Sequence, residues 1–217
     1  AANALWCPGT QLYSSMKDDA WHNDRRYNTT YDSNGNILTD FNEDLNWASE
    51  STSDRYTSEE YTYNAYGKRL TGLIKTGNDK QSLKESRKFD FTYDEVVPTF
   101  ITSYSTYTMK DGEWVMDKGS YKIAVTRDEK GRVTQVLRSE WDVMGFYEDA
   151  SKNVITYGDD GKPSLIQNFT YAEDGNTGEK VWTEGTCYSA IVRKDCNNQI
   201  LNGGALYQGA NRILSAK

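Results

Sequence analysis

Little in this chain is of the kind that hydrolytic triads, metal centres or membrane spans are built from. Among 217 residues there are one histidine, three cysteines and three prolines. A single His22 supplies no set of imidazoles for a zinc site and no ordinary base for a nucleophile triad. Flanked by Trp21 and Asn23 in a stretch without period, it reads as exposed polar filler. No apolar run approaches the roughly 18–20 residues of a transmembrane helix, so no membrane span is expected. Basic residues number 25 against 32 acidic ones, a formal charge of −7, and they are scattered. Without a basic stripe to neutralise phosphates, nucleic acid is not an expected partner.

Cysteine is too sparse for a disulfide framework, and Cys7, Cys187 and Cys196 form an odd set. A strand over 188–192 would hold Cys187 and Cys196 roughly 30 Å apart at about 3.3 Å per residue, beyond bridging distance. Two readings stay open: Cys7 beside one of the others, or three unpaired thiols. The first residues, Ala1-Ala2-Asn3-Ala4, have neither the charged start nor the apolar stretch of an export signal.

What the chain does have is aromatic side chains and a recurrent turn. Only 36% of residues are hydrophobic, yet there are 16 Tyr, 6 Trp and 6 Phe. Apolar surface concentrated in amphipathic rings suits half-buried strands. The grammar is set by Ile155-Thr156-Tyr157-Gly158-Asp159-Asp160-Gly161-Lys162. It returns as Thr30-Tyr31-Asp32-Ser33-Asn34-Gly35-Asn36, as Thr62-Tyr63-Asn64-Ala65-Tyr66-Gly67-Lys68, and, with Arg for Tyr, as Thr126-Arg127-Asp128-Glu129-Lys130-Gly131-Arg132. A weaker copy spans residues 194–200. Asp or Asn at the first turn position can accept from the backbone two residues on, and the residue three later must reach positive φ, which Gly does freely. This spacing predicts a type I turn closed by a bulge, a common hairpin loop. The copy at Tyr93-Asp94 has Val96-Val97-Pro98 instead of Gly and is expected to form a different loop.

Between turns the period is two: Phe89, Phe91 and Tyr93 alternate with Lys88, Asp90 and Thr92, and Tyr121, Ile123 and Val125 with Lys122 and Ala124. Residues 98–105 align with 163–170, and Trp114 mirrors Trp182 downstream, so a unit of about four strands is duplicated. The expected fold is all-β: an antiparallel meander of repeated hairpins in a twisted or curved sheet, closed in part or open. Residues 1–26 form an irregular N-terminal arm, in which Trp6 and Trp21 cover an edge or open end. Residues 27–217 form a single β-repeat domain. Longer, variable loops are expected near residues 42–53, 76–85, 110–113, 142–151 and 172–180, where binding usually sits.

The Tyr-Asp-x-x-Gly grammar over residues 30–201 resembles the YD repeats of Rhs-type bacterial surface and toxin proteins, and more generally is similar to uncharacterised secreted β-repeat proteins of Gram-negative gut bacteria. YD repeats recur about every 20 residues, whereas the step here is longer, so a short curved sheet is expected in place of a large enclosing shell. The resemblance implies an exported structural or binding role and carries over no catalytic residue. With the Tyr/Thr/Asn/Asp/Gly-rich composition, it sets the expected location as secreted, periplasmic or cell surface, with the signal peptide absent from this sequence.

The candidate ligand-binding residues are Trp47, Trp114, Trp141 and Trp182, near strand ends or variable loops, where exposed rings in a row would stack on sugar faces or bind a protein. Against that, equivalent places in a duplication are what core positions of a repeat occupy. No catalytic residue, metal site or cofactor is assigned. Acidic turns such as Asp159-Asp160-Gly161 and Glu173-Asp174-Gly175-Asn176 lack the alternation and terminal Glu of a calcium loop. The chain therefore reads as a non-catalytic envelope module, of unknown function, binding a glycan or an envelope protein. The alternative is a polysaccharide-acting hydrolase with paired carboxylates in the concave face, and a third reading is a scaffold segment of a larger assembly.

Overall fold

A computed structural model describes residues 9–189. Those residues form thirteen strands and no helix: β1 (Thr10–Lys17), β2 (Ala20–Tyr31), β3 (Ile37–Asp44), β4 (Tyr56–Tyr63), β5 (Arg69–Gly77), β6 (Lys84–Tyr93), β7 (Ile101–Lys110), β8 (Glu113–Met116), β9 (Tyr121–Arg127), β10 (Val133–Trp141), β11 (Tyr147–Tyr157), β12 (Pro163–Glu173) and β13 (Lys180–Ser189). Hydrogen-bonded order follows chain order from β1 to β13, except that β8 pairs only with β7. This is the antiparallel meander that the period-two pattern and repeated turns predict. Among the described residues no pairing joins β1 to β13, and the sheet is not closed.

The turns explain why the chain reverses where it does. In the turn 32–36 the Asp32 amide donates to the Asn36 carbonyl at 2.9 Å and Gly35 N–H donates back to the Asp32 carbonyl at 3.1 Å. Asp32 Oδ1 accepts the Asn34 and Asn36 amides, both at 2.8 Å, and Gly35 takes φ of 83°. Turns 64–68 and 128–132 repeat that pattern bond for bond. At 158–162 the backbone bonds are kept with Gly158 in the Asp place. The Gly-less copy does form a different loop, two residues longer: Asp94 N–H donates to Phe100 O at 2.9 Å while Asp94 Oδ1 holds the Val96 and Val97 amides.

The Thr and Tyr that precede each turn have separate causes. Thr30 and Thr39 hydroxyls meet across the strand pair at 2.7 Å, as do Thr62 and Thr71, and Thr92 meets Thr102 at 2.9 Å. The ring residue reaches back to the preceding turn. Tyr63 OH donates to the Ile37 carbonyl at 2.6 Å and Tyr157 OH to the Val133 carbonyl at 2.9 Å, each acceptor being the first residue of a strand. Arg127, which replaces Tyr, donates to the turn carboxylate Asp94 Oδ1 at 2.6 Å. These three hairpins are thus each tied to the turn before through a half-buried polar bond.

The strands fall into two compact units, one running up to Phe91 and including Ser105–Met116, the other comprising Thr92–Tyr104 and the chain from Asp117. In the first, aromatic rings do most of the packing. Phe89 lies over Gly72, so close that a Cβ there would sit 2.1 Å from the ring, and it is flanked by Tyr61 and Phe91 at 6.1 and 5.6 Å between centroids. The Arg69 guanidinium covers the Tyr61 ring at 3.9 Å. The second unit has an aliphatic centre of Val133, Ile155 and Ile166, surrounded by Phe100, Val125, Val136 and Tyr157.

Three expectations need correction. From Thr10 onward the N-terminal arm is strand and not irregular coil: β1 and β2 form an antiparallel hairpin, with one register shift between Tyr13 and Ser14, turned by Asp18 and Asp19, both at positive φ. Its residues up to Arg26 are exposed on both faces save the half-buried Asp24, and with no layer to select alternation the period is missing. Trp21 is 70% exposed, so it does not cover an edge; Trp6 lies outside the described residues. Finally, residues 142–151 are not a long loop. Asp142 to Phe146 repeats the tight turn, with Gly145 at φ of 91°, and β11 begins at Tyr147. The weak turn at 194–200 lies outside the described residues.

Candidate functional site

The four tryptophans are half-buried, and their immediate partners differ. Trp47 sits in the loop 45–55, its indole N–H donating to Ser53 O at 2.8 Å. Trp114 on β8 is cross-strand partner of Met109, and the Lys88 ammonium lies 4.9 Å from its ring and 4.8 Å from Tyr107. Trp182 on β13 packs at 5.0 Å on Tyr171, its register partner, with Lys152 at 4.2 Å. Trp141 ends β10 and meets Tyr147 edge-on at 5.1 Å. A lysine thus lies against both members of the mirrored pair Trp114 and Trp182, which occupies part of each ring with a cation.

Two of these rings line open grooves. In the first unit a groove of about 240 Å³ is formed by Trp114 with Thr71, Leu73, Glu85, Lys88 and Asp90. In the second, a groove of about 280 Å³ has Trp141 and Tyr171 among its walls, together with Lys118, Glu140, Asp142, Val143, Glu148 and Asp149. Trp141 and Trp182 therefore come to neighbouring positions through Tyr171, which touches both the groove and the Trp182 ring. Trp47 lines neither groove.

The carboxylates of the second groove are held rather than loose. Arg138 Nε donates to Glu140 Oε1 at 2.9 Å, Ser139 Oγ to Asp149 Oδ1 at 2.8 Å, and Lys180 Nζ to Glu148 Oε2. That bond to Glu148 pushes the Lys180 ammonium above the ordinary lysine range. Each carboxylate keeps further lone pairs free to accept from hydroxyl groups. At the mouth, the turn after Trp141 exposes Val143 by 82%, Met144 by 79% and Phe146 by 52%. The equivalent tip positions of the other turns are Ser33-Asn34, Ala65-Tyr66, Glu129-Lys130 and Asp159-Asp160, so the turn itself demands no aliphatic pair there. That departure was the readable signal for the mouth; Tyr171, Glu148 and Asp149 carry none, since only strand register brings them together.

A different carboxylate pair lies in the first unit. Asp40 and Glu59 are register partners on β3 and β4. Thr29 Oγ1 donates to Asp40 Oδ1 at 2.8 Å and Tyr61 OH to Glu59 Oε2. Burial, and then the Asp40 charge, push the Glu59 carboxyl above the usual range, against a smaller opposing effect of Arg69. Among the described residues no group of His, Cys, Asp and Glu has metal-site geometry. Cys187 is buried and disulfide-bonded, so it is not one of three free thiols. Both other cysteines lie outside the described residues.

Fold and grooves together define the class: an all-β repeat protein whose hairpins are stitched turn to turn and whose grooves are walled by tryptophan and carboxylates. No protein-family model and no curated protein matches the chain. Solved structures similar to it include a protein of unknown function from Bacteroides fragilis, at 16% identity over 59% of this chain and 89% of that one, with a TM-score of 0.31. A DUF3836 family protein from Bacteroides vulgatus is similar at 14% identity over 44% of this chain and 90% of its own, TM-score 0.28. A chain of the TcdB2–TccC3–Cdc42 complex is similar at 15% identity over 89% of this chain and 10% of its own, TM-score 0.31.

Proposed function

We propose that this chain is a non-catalytic, exported binding module of the cell envelope, and that it holds a glycan in the Trp141 groove. The observation that carries this is the pairing of Trp141 and Tyr171 with Glu140, Glu148 and Asp149 around one opening. An aromatic face takes the apolar side of a sugar ring, and carboxylates accept its hydroxyl hydrogens in charge-assisted bonds. The turn grammar supports the resemblance to YD-repeat proteins, and the disulfide at Cys187 supports export to an oxidising compartment.

A glycan array probed with the wild-type chain and Trp141→Ala tests it. We expect a bound class in the wild type and roughly tenfold or greater loss in the variant, about 1.4 kcal/mol. Equal binding by both chains would remove this groove from the account. Release of reducing ends from any bound polysaccharide would replace the non-catalytic reading with hydrolysis. A second reading, an envelope protein as partner, is favoured by the exposed Val143, Met144 and Phe146; it predicts a partner lost on Met144→Ser while array binding is unchanged.

A further inference from the structure

We propose that β1 is a self-pairing edge, through which two copies of this chain join their sheets about a two-fold axis at Ser14. Among the described residues β1 has a hydrogen-bonded neighbour on one side only, β2. Natural edges are blunted by charge, proline or bulges. From Thr10 to Met16 this strand has no charged residue and no proline, its side chains are exposed throughout, and the register irregularity between Tyr13 and Ser14 leaves its extra residue, Asp24, on β2 and not on the β1 edge. Leu12 and Met16 project to one face at period two, 51% and 61% exposed, and Trp21, the register partner of Met16, is 70% exposed. Tyr13 belongs to the opposite face, where it meets Tyr27 edge-on at 5.5 Å.

The occupant follows from self-complementarity. When β1 pairs antiparallel with its own copy and Ser14 opposes Ser14, Leu12 falls opposite Met16 and Gln11 opposite Lys17. The apolar stripe is then matched to itself, with Trp21 of each copy at its flank, and no like charges oppose each other. A one-residue slip would place Leu12 opposite Ser15, on the wrong pattern. Closed two-fold pairing of this kind is isologous, using the same surface twice, and main-chain bonds of an added strand supply the affinity.

Sedimentation equilibrium over a concentration series tests the pairing. The wild-type chain is expected to pass from monomer to dimer, and Leu12→Lys and Met16→Lys each to weaken association roughly tenfold or more. Both positions are exposed, so melting temperatures should match the wild type at concentrations where it is monomeric, and should rise less than the wild type's as concentration increases. Val96→Lys, at an apolar site 67% exposed and outside both grooves, should leave association unchanged, and amides of β1 should gain hydrogen-exchange protection with concentration. A monomer across the series overturns the proposal, as does a dimer that ignores both β1 variants or growth into open polymers. None of these outcomes depends on the Trp141 groove.

Discussion

Two glycines show how differently one residue type is required. Gly131 closes its turn at φ of 77° with nothing near its missing Cβ, so Gly131→Ala should cost only the backbone strain of a left-handed alanine, about 1 kcal/mol. Gly72 has ordinary backbone but lies under Phe89, and Gly72→Ala must move that ring out of its aromatic cluster, at a cost of about 1–3 kcal/mol. Chemical denaturation of both variants should rank Gly72→Ala the more damaging, and Phe89→Leu should relieve it but not Gly131→Ala. Only the first requirement was legible in the sequence, as a spacing; the second depends on a ring from the next strand covering a glycine.

At the same scale, Glu59 makes a prediction about pH. Its carboxyl is raised in the folded chain, chiefly by burial, so between the unfolded and folded values the fold holds more protons and stability falls as pH rises. Glu59→Gln, whose amide oxygen still accepts from Tyr61, should therefore raise the melting temperature at neutral pH. The gain should disappear in acid, below the pKa of an unfolded glutamate, where wild type and variant are both neutral at this position. Turn aspartates behave in the opposite sense: Asp128, held by the Arg132 side chain, is depressed, and what it contributes is lost as pH falls through its lowered value.

The hairpin, with the ring that reaches back from it, is the repeating element. Tyr157 donates to the Val133 carbonyl, and its neighbour across the strands is the Val133–Ile155–Ile166 centre. Removing only the hydroxyl, in Tyr157→Phe, should cost about 1 kcal/mol in thermal or denaturant unfolding and expose the amides near 128–133 to faster hydrogen exchange. Tyr63→Phe should act in the same way on the turn at 32–36. The Thr-Tyr-Asp-x-x-Gly string could be read as a turn from its chemistry alone: Asp for the Asx bonds, Gly for positive φ. Its Tyr could not, because the partner is some two dozen residues upstream and is met only through strand order. Arg127 makes the point, since an unlike side chain does the same reaching toward Asp94.

For the whole molecule, period-two alternation and the turn grammar determined the all-β meander, its antiparallel sense and the reversals at 32–36, 64–68, 128–132 and 158–162, though not those at 18–19 and 142–146. Local backbone chemistry suffices for that, because each reversal is made by residues adjacent in sequence. Tertiary structure decided what lies beside what: that Trp141 shares a groove with Tyr171, Glu148 and Asp149 while Trp47 does not, that lysines lie on Trp114 and Trp182, and that β1, with an exposed stripe, has a neighbour on one side only among the described residues. Those relations arise from register between strands, and one residue of slip sends every side chain to the other face. Composition supplies the aromatic rings; pairing alone chooses which of them face a partner strand and which face solvent.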